Sequence, residues 1–268
     1  MIESPYLVTP GKKFKLSKID TSDKGDFKDR SEAEPVVAKN LAKLTKLQEI
    51  LYAESKRSLL VVLQAMDAGG KDGTIRHIFS GVNPQGCAVT SFKAPSTIER
   101  AHDFLWRVHS AAPANGMIGI FNRSHYEDVL IVRVHNLVPK DVWSKRYAHI
   151  CEFERLLSDS GTTILKFFLH ISKDEQKKRL QARLDDPQKH WKFNVEDLAE
   201  RKLWDEYMEA FDDALEKTST NYAPWYVVPS DRKWFRNWVI SDTIVHALQD
   251  MKLKYPAPAE GLEKVKIV

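Results

Sequence analysis

Residues 58–75, SLLVVLQAMDAGGKDGTI, constrain this chain more than any other stretch. Leu59 to Leu63 is an unbroken apolar run, which suits a strand buried on both faces of a parallel sheet. It breaks into Ala68-Gly69-Gly70, and Lys71 follows. A strand running into a glycine turn and a helix start leaves free backbone N–H groups beside a lysine, and that combination cradles phosphate oxygens. The backbone of Ala68 to Gly73, with Asp72 among them, is therefore a candidate phosphate-binding loop. Against the Walker A pattern G-x-x-x-x-G-K-[ST] it departs twice: Ala65 takes the first glycine place, and Asp72 stands where the metal-binding hydroxyl belongs. The competing reading is a glycine turn beside a solvated lysine.

The rest of the chain alternates strand and helix around this loop. Residues 1–35 read as a polar N-terminal arm lying on the domain, and 36–54 as an amphipathic helix through Val37, Leu41, Leu44 and Leu51. Residues 72–79 should be the helix that faces the phosphate. Ala88 to Phe92 is a second strand, followed by a helix over Thr97 to Ser110 that Ser96 caps with Glu99 three residues on. Gly116 to Phe121 is a third strand, Lys140 to Leu157 a helix, and Thr162 to Ile171 a fourth strand. A basic helix from Ser172 to Arg183 and a polar flap over 184–195 make a helical lid of about 172–200. A long helix (196–217), a strand (Trp225 to Val228) and an amphipathic helix carrying Trp234, Trp238, Val245 and Leu248 complete a domain of 36–255, with a tail at 256–268. This order predicts a doubly wound α/β sheet with its ligand at the C-terminal strand edge.

Phosphoryl transfer asks a protein chiefly for positioning and positive charge. Lys71 and the loop amides supply one side. Asn122 and Arg123, at the end of the third strand, are placed to supply another; the alternative is that Asn122-Arg123-Ser124 is only a polar turn capping the next helix. Asp67 would repel incoming phosphates unless Mg2+ lay between them, so it reads as a metal organiser, or else as the N-cap of the loop helix. Lys177, Lys178, Arg179 and Arg183 form a positive stripe after the fourth strand, with Arg179 and Arg183 on one face, where the bland reading is a solvated face. Arg133, Lys140, Lys145 and Arg146 extend this charge into a possible track for a polyanion.

Composition limits the alternatives. A net charge of +4 in 268 residues does not by itself argue for nucleic acid, and no apolar run approaches the ~20 residues that span a bilayer. Two cysteines, Cys87 and Cys151, suggest neither a disulfide framework nor a thiolate metal site, so a reducing cytoplasm is expected. The nine histidines form no H-E-x-x-H, and neither G-x-S-x-G nor G-x-G-x-x-G occurs. Aromatic-rich helices are compatible with a homo-oligomer.

Several stretches together resemble family-2 polyphosphate kinases. They are Asp67-Ala68-Gly69-Gly70-Lys71-Asp72-Gly73, Phe121 to Leu130 (FNRSHYEDVL), Arg179-Leu180-Gln181-Ala182-Arg183, and Ala223-Pro224-Trp225 through Asp231-Arg232-Lys233. Trp191-Lys192-Phe193 and Trp204-Asp205-Glu206-Tyr207 match as well, so the likeness runs from about residue 10 to 255. It implies a P-loop kinase three-layer sandwich, a parallel sheet flanked by helices, with a helical lid. The implied reaction moves phosphoryl groups between inorganic polyphosphate and nucleotides with Mg2+, or Mn2+ in its place. Asp67, Lys71, Arg123, Arg179 and Arg183 match the family's phosphate-handling positions. Asp67 and Asn122 would hold the metal, Lys178 and the other basic residues the polyphosphate, and Glu127 with Asp128 the acceptor nucleotide. Much of the family has Asp-Arg-Ser-Trp-Tyr where this chain has Asn122 and His125; the Asn-bearing form resembles the subgroup that accepts both AMP and ADP. Met117 is a departure with no evident consequence. An ATP-dependent P-loop kinase of a small metabolite and a non-catalytic polyanion-binding module are the alternatives, with neither nucleic acid nor membrane expected as a partner.

Overall fold

The computed structural model describes residues 4–262, 265 and 267; the first three residues of the expected arm and positions 263, 264, 266 and 268 of the expected tail lie outside that range. Five strands form one sheet: β1 (Ser58–Gln64), β2 (Cys87–Ser91), β3 (Ile118–Asn122), β4 (Thr162–His170) and β5 (Trp225–Pro229). Their order is β2-β3-β1-β4-β5 and every pairing is parallel. The helices are α1 (Arg30–Glu54), α2 (Lys71–Ile78), α3 (Thr97–Arg100), α4 (Trp106–His109), α5 (Ile131–Val134), α6 (Lys140–Trp143), α7 (Arg146–Asp159), α8 (Lys173–Leu184), α9 (Glu196–Lys202), α10 (Trp204–Thr218) and α11 (Lys233–Asp250).

The central strand explains the layering. Leu59, Val61 and Leu63 pack with Leu44 and Leu51 of α1 and Phe235 and Ile244 of α11. Leu60 and Val62 point the other way, toward Phe153 of α7 and Phe211 of α10. A strand apolar at every position is stable only with both faces covered, so the sequence run dictates the helix-sheet-helix sandwich. The arm protects the open edge: Val8 N–H donates to Trp225 O at 2.9 Å and Val227 N–H to Tyr6 O at 2.8 Å, pairing the chain with β5.

Several boundaries differ from the sequence reading. The first helix starts at Arg30, where the Asp29 carboxylate accepts from Ser31 N–H, and continues through Pro35. The expected helix over 97–110 is two single turns: Ser96 and Glu99 do form the capping box, but the Asp103 side chain accepts from Leu105 N–H and starts a separate turn. The helices expected over 140–157 and 196–217 are likewise interrupted, at Ser144-Lys145 and at Leu203. In each case the apolar period continues across the break. The segment read as a flap carries a 3-10 helix, Pro187–Lys192.

Candidate active site

The loop after β1 is shaped by contacts that its two glycines permit. A Cβ on Gly69 would lie 2.5 Å from the Ala65 Cβ, so a glycine at 69 accommodates the alanine that replaces the first Walker glycine. Gly70 has φ +107°, and a Cβ there would lie 2.1 Å from Arg236 Nη1, so an L side chain would be strained in conformation and would have to displace that guanidinium. Gly70 is itself the N-cap of α2 and no side chain caps that helix, which removes the reading of Asp67 as the cap. Lys71 is buried, its ammonium donating to Ala65 O at 2.9 Å. Burial, and then Arg123, pulls its pKa below the lysine range, against the opposing pull of Asp67, Glu127 and Asp72.

Parallel pairing of β3 with β1 delivers the second motif to this loop. Asn122 lies opposite Leu63, and Arg123 N–H donates to Leu63 O at 3.1 Å. Arg123 then takes a left-handed φ of +62°, a strained conformation for a non-glycine residue. Ser124, not Asn122 or Arg123, caps the following 3-10 helix by accepting from Tyr126 N–H. The two residues before it are thus left for the loop: Asn122 Nδ2 donates to Asp72 Oδ1 at 2.7 Å, and Arg123 Nη2 to Asp67 Oδ1 at 2.6 Å. Glu127 Oε2 lies 3.7 Å from Arg123 Nη1. Burial raises the Glu127 pKa, while Arg123 and Lys71 hold it down.

Helix α8, in the segment expected to be a lid, lies against the other side of the loop. Arg179 of α8 donates through Nη1 to Gly69 O at 3.0 Å and Ala68 O at 3.2 Å, and Gln176 Nε2 to Asp67 O at 2.9 Å. Arg183 instead reaches Lys192 O at 3.0 Å and Asp197 at 3.3 Å, within the lid. A cavity of about 180 Å³ remains between loop, β3 and lid, lined by Asp67, Arg123, Glu127, Asp197, Glu200 and Tyr207. Its carboxylates face one another, and burial followed by Asp67 raises the Asp197 pKa.

Two residues of the proposed polyanion track are engaged in ion pairs. Arg133 spends its guanidinium on Asp213 at 2.6 Å and Glu209 at 2.9 Å, both on α10. Arg146 pairs with Asp128 at 2.8 Å, so a residue assigned to phosphate and one assigned to the acceptor are partners of each other. Lys140, Lys145 and Lys178 are exposed on α6, the α6-α7 turn and α8 respectively. The sequence reading missed Arg236, Asp197 and Glu200. Arg236 is 3% exposed, against the loop at Gly70, with its pKa pulled down to about 10 by burial and by Arg179. Its one sequence signal was a basic residue on the apolar stripe of the last helix.

A parallel sheet ordered β2-β3-β1-β4-β5, with a glycine loop, a buried lysine and a lid arginine around one cleft, defines a P-loop kinase fold. The chain belongs to the polyphosphate kinase 2 family, whose sequence profile, described as Polyphosphate kinase 2 (PPK2), matches residues 27–256. It is 56% identical over 264 residues to the AMP/ADP-polyphosphate phosphotransferase of Meiothermus ruber, covering 98% of each chain. With the ADP-polyphosphate phosphotransferase of Rhodopseudomonas palustris it shares 45% identity over 271 residues, covering 97% of this chain and 94% of the other. The crystal structure of Polyphosphate Kinase 2 from Arthrobacter aurescens TC1 superposes with a TM-score of 0.91 at 45% identity, over 94% of this chain and 90% of that one. Transfer of phosphoryl groups between polyphosphate and nucleotides is the chemistry of this family.

Proposed function

We propose that the protein transfers the terminal phosphoryl group of inorganic polyphosphate to AMP and ADP, yielding ADP and ATP, with Mg2+ or Mn2+ required. The observation that carries this reading is the Asp67–Arg123 contact at 2.6 Å beside a loop whose lysine is buried. Cations there suit phosphoryl oxygens, whereas Asp67 is reconciled with incoming phosphates only through a metal. Asp67 and Asn122 offer two oxygen donors, and Mg2+ commonly takes one or two protein ligands with waters and substrate phosphates completing its shell, so the donor chemistry fits. When bound, the ion would neutralise phosphate charge and polarise the transferring group.

The residues themselves divide the remaining work. The loop amides and Lys71 hold the donor's terminal phosphates. Arg123 leaves Asp67 as the substrates enter and binds the oxygens of the moving phosphoryl, where its charge stabilises the transition state. Arg179, tied to the loop carbonyls, keeps the lid closed over the donor and excludes water. Among the described residues no helix is long and apolar enough to cross a membrane, and the reaction belongs in the cytoplasm with its nucleotides. The test is incubation of purified protein with polyphosphate, Mg2+ and either AMP or ADP. ATP from both acceptors, abolished by excess chelator, is expected; full activity in chelator refutes the metal assignment, and no product from polyphosphate refutes the donor.

A further inference from the structure

The arm that covers β5 has a second attachment, at the point where α8 begins. Ser230, Asp231 and Arg232 form the turn between β5 and α11, and Ser230 N–H donates to His170 O at 2.8 Å, so this turn lies beside the end of β4. The Asp231 carboxylate is divided between two segments. Its Oδ1 accepts from Ser172 N–H at 2.8 Å and its Oδ2 from the Thr21 hydroxyl at 2.8 Å, while Asp231 N–H donates back to Thr21 O at 3.1 Å. Ser172 is the N-cap of α8, its hydroxyl accepting from Glu175 N–H at 3.0 Å. One carboxylate thus joins the arm to the start of the helix that carries Arg179.

From there the contacts run to the glycine loop. Glu175 Oε1 accepts from Arg179 Nε at 2.8 Å, and Arg179 Nη2 donates to Ser230 O at 2.5 Å, in the same turn as Asp231. This leaves Nη1 for Ala68 O at 3.2 Å and Gly69 O at 3.0 Å. Thr21 is itself held from both directions along the chain. Before it, Tyr6 and Val8 bond to β5 and the Tyr6 hydroxyl donates to Asp23 Oδ2 at 3.0 Å; after it, Asp29 caps α1. A carboxylate that accepts from donors on different segments fixes direction as well as distance, and such charge-assisted bonds are roughly twice as strong as neutral ones.

We propose that Thr21 and Asp231 are positioning residues: through them the N-terminal arm sets the angle at which α8 leaves β4, and so holds Arg179 against the loop. For its effect on rate the proposal rests on the phosphoryl-transfer reading of Arg179. Thr21→Val keeps the side-chain shape and removes the hydroxyl. At saturating polyphosphate and AMP it should lower kcat roughly tenfold, the scale of one hydrogen bond to a charged group, and Thr21→Ser should restore the wild-type value. Arg179→Lys already loses the planar fork that joins Ser230 O to the loop carbonyls, so adding Thr21→Val to it should cost nothing further. An equal fractional loss in both backgrounds, or a Thr21→Val enzyme with wild-type kcat, overturns the proposal. Should polyphosphate donate to no acceptor, the transfer reading fails by itself, and hydrogen exchange still decides this one. Faster amide exchange along α8 in Thr21→Val supports the tether, and exchange altered only around residues 20–25, or nowhere, removes it.

Discussion

Replacing Asn122 by Asp tests how the two strand-end motifs share charge. In the wild type the Asn122 amide donates to Asp72 Oδ1 at 2.7 Å, a neutral donor satisfying a carboxylate. Asn122→Asp turns that contact into two like charges. Unit charges 4 Å apart repel by about 1 kcal/mol in water and about 4 kcal/mol at an effective dielectric of 20. Asp72 is exposed and Asn122 half-buried, so the low end applies, about 1–2 kcal/mol. For a chain of this size that lowers the melting temperature by roughly 2–8 °C. A divalent cation between the two carboxylates should reverse the loss, so the drop is expected in chelator and not in excess Mg2+. The same added charge faces the acceptor phosphates, and AMP and ADP differ in charge and reach. The ratio of kcat/KM for AMP to that for ADP should therefore shift by roughly 5–30-fold, the factor that 1–2 kcal/mol represents. Thermal unfolding with and without Mg2+, and initial rates on both acceptors at fixed polyphosphate, measure the two effects. An unchanged melting temperature in chelator together with an acceptor ratio within about twofold of wild type would refute the charge argument.

Lys71→Ala should lower kcat by roughly a hundredfold or more, the scale for removing one preorganised charge donor, and a variant with full turnover would reduce the loop to a structural turn. Lys166→Met strands the fully buried Glu154, which Lys166 meets at 2.6 Å, and should cost about 3–5 kcal/mol, whereas Lys166→Met with Glu154→Gln should recover most of it in denaturant titration. Burial, opposed by Arg146 and Arg107, pushes the Asp128 carboxyl up to about 6. The folded state therefore holds a proton that the unfolded chain releases near its ordinary value, and stability from this group falls as pH rises from about 4 to 6. Asp128→Asn should flatten that part of the melting-temperature profile; a slope identical to wild type counts against the assignment.

The sequence by itself determined the fold class and the centre of the site. A strand apolar at Leu59 through Leu63 needs cover on both faces, and a glycine turn after it followed by a lysine marks the loop at the strand's C-terminal end. Those are local consequences of covalent structure and burial. Helix interruptions at Asp103, Ser144-Lys145 and Leu203 were not legible, because the apolar period runs through them. Partner choice belonged wholly to the tertiary structure. Arg133 and Arg146 stand in the sequence as two basic residues among many, and only packing gives them Asp213, Glu209 and Asp128 as partners. Arg236, more than 150 residues from Gly70 in the chain, becomes its neighbour because α2 and α11 cover the same face of the sheet. Charge in a sequence has no direction until folding supplies one, since Coulomb energy depends on separation and burial, both of which are set by contacts between distant segments.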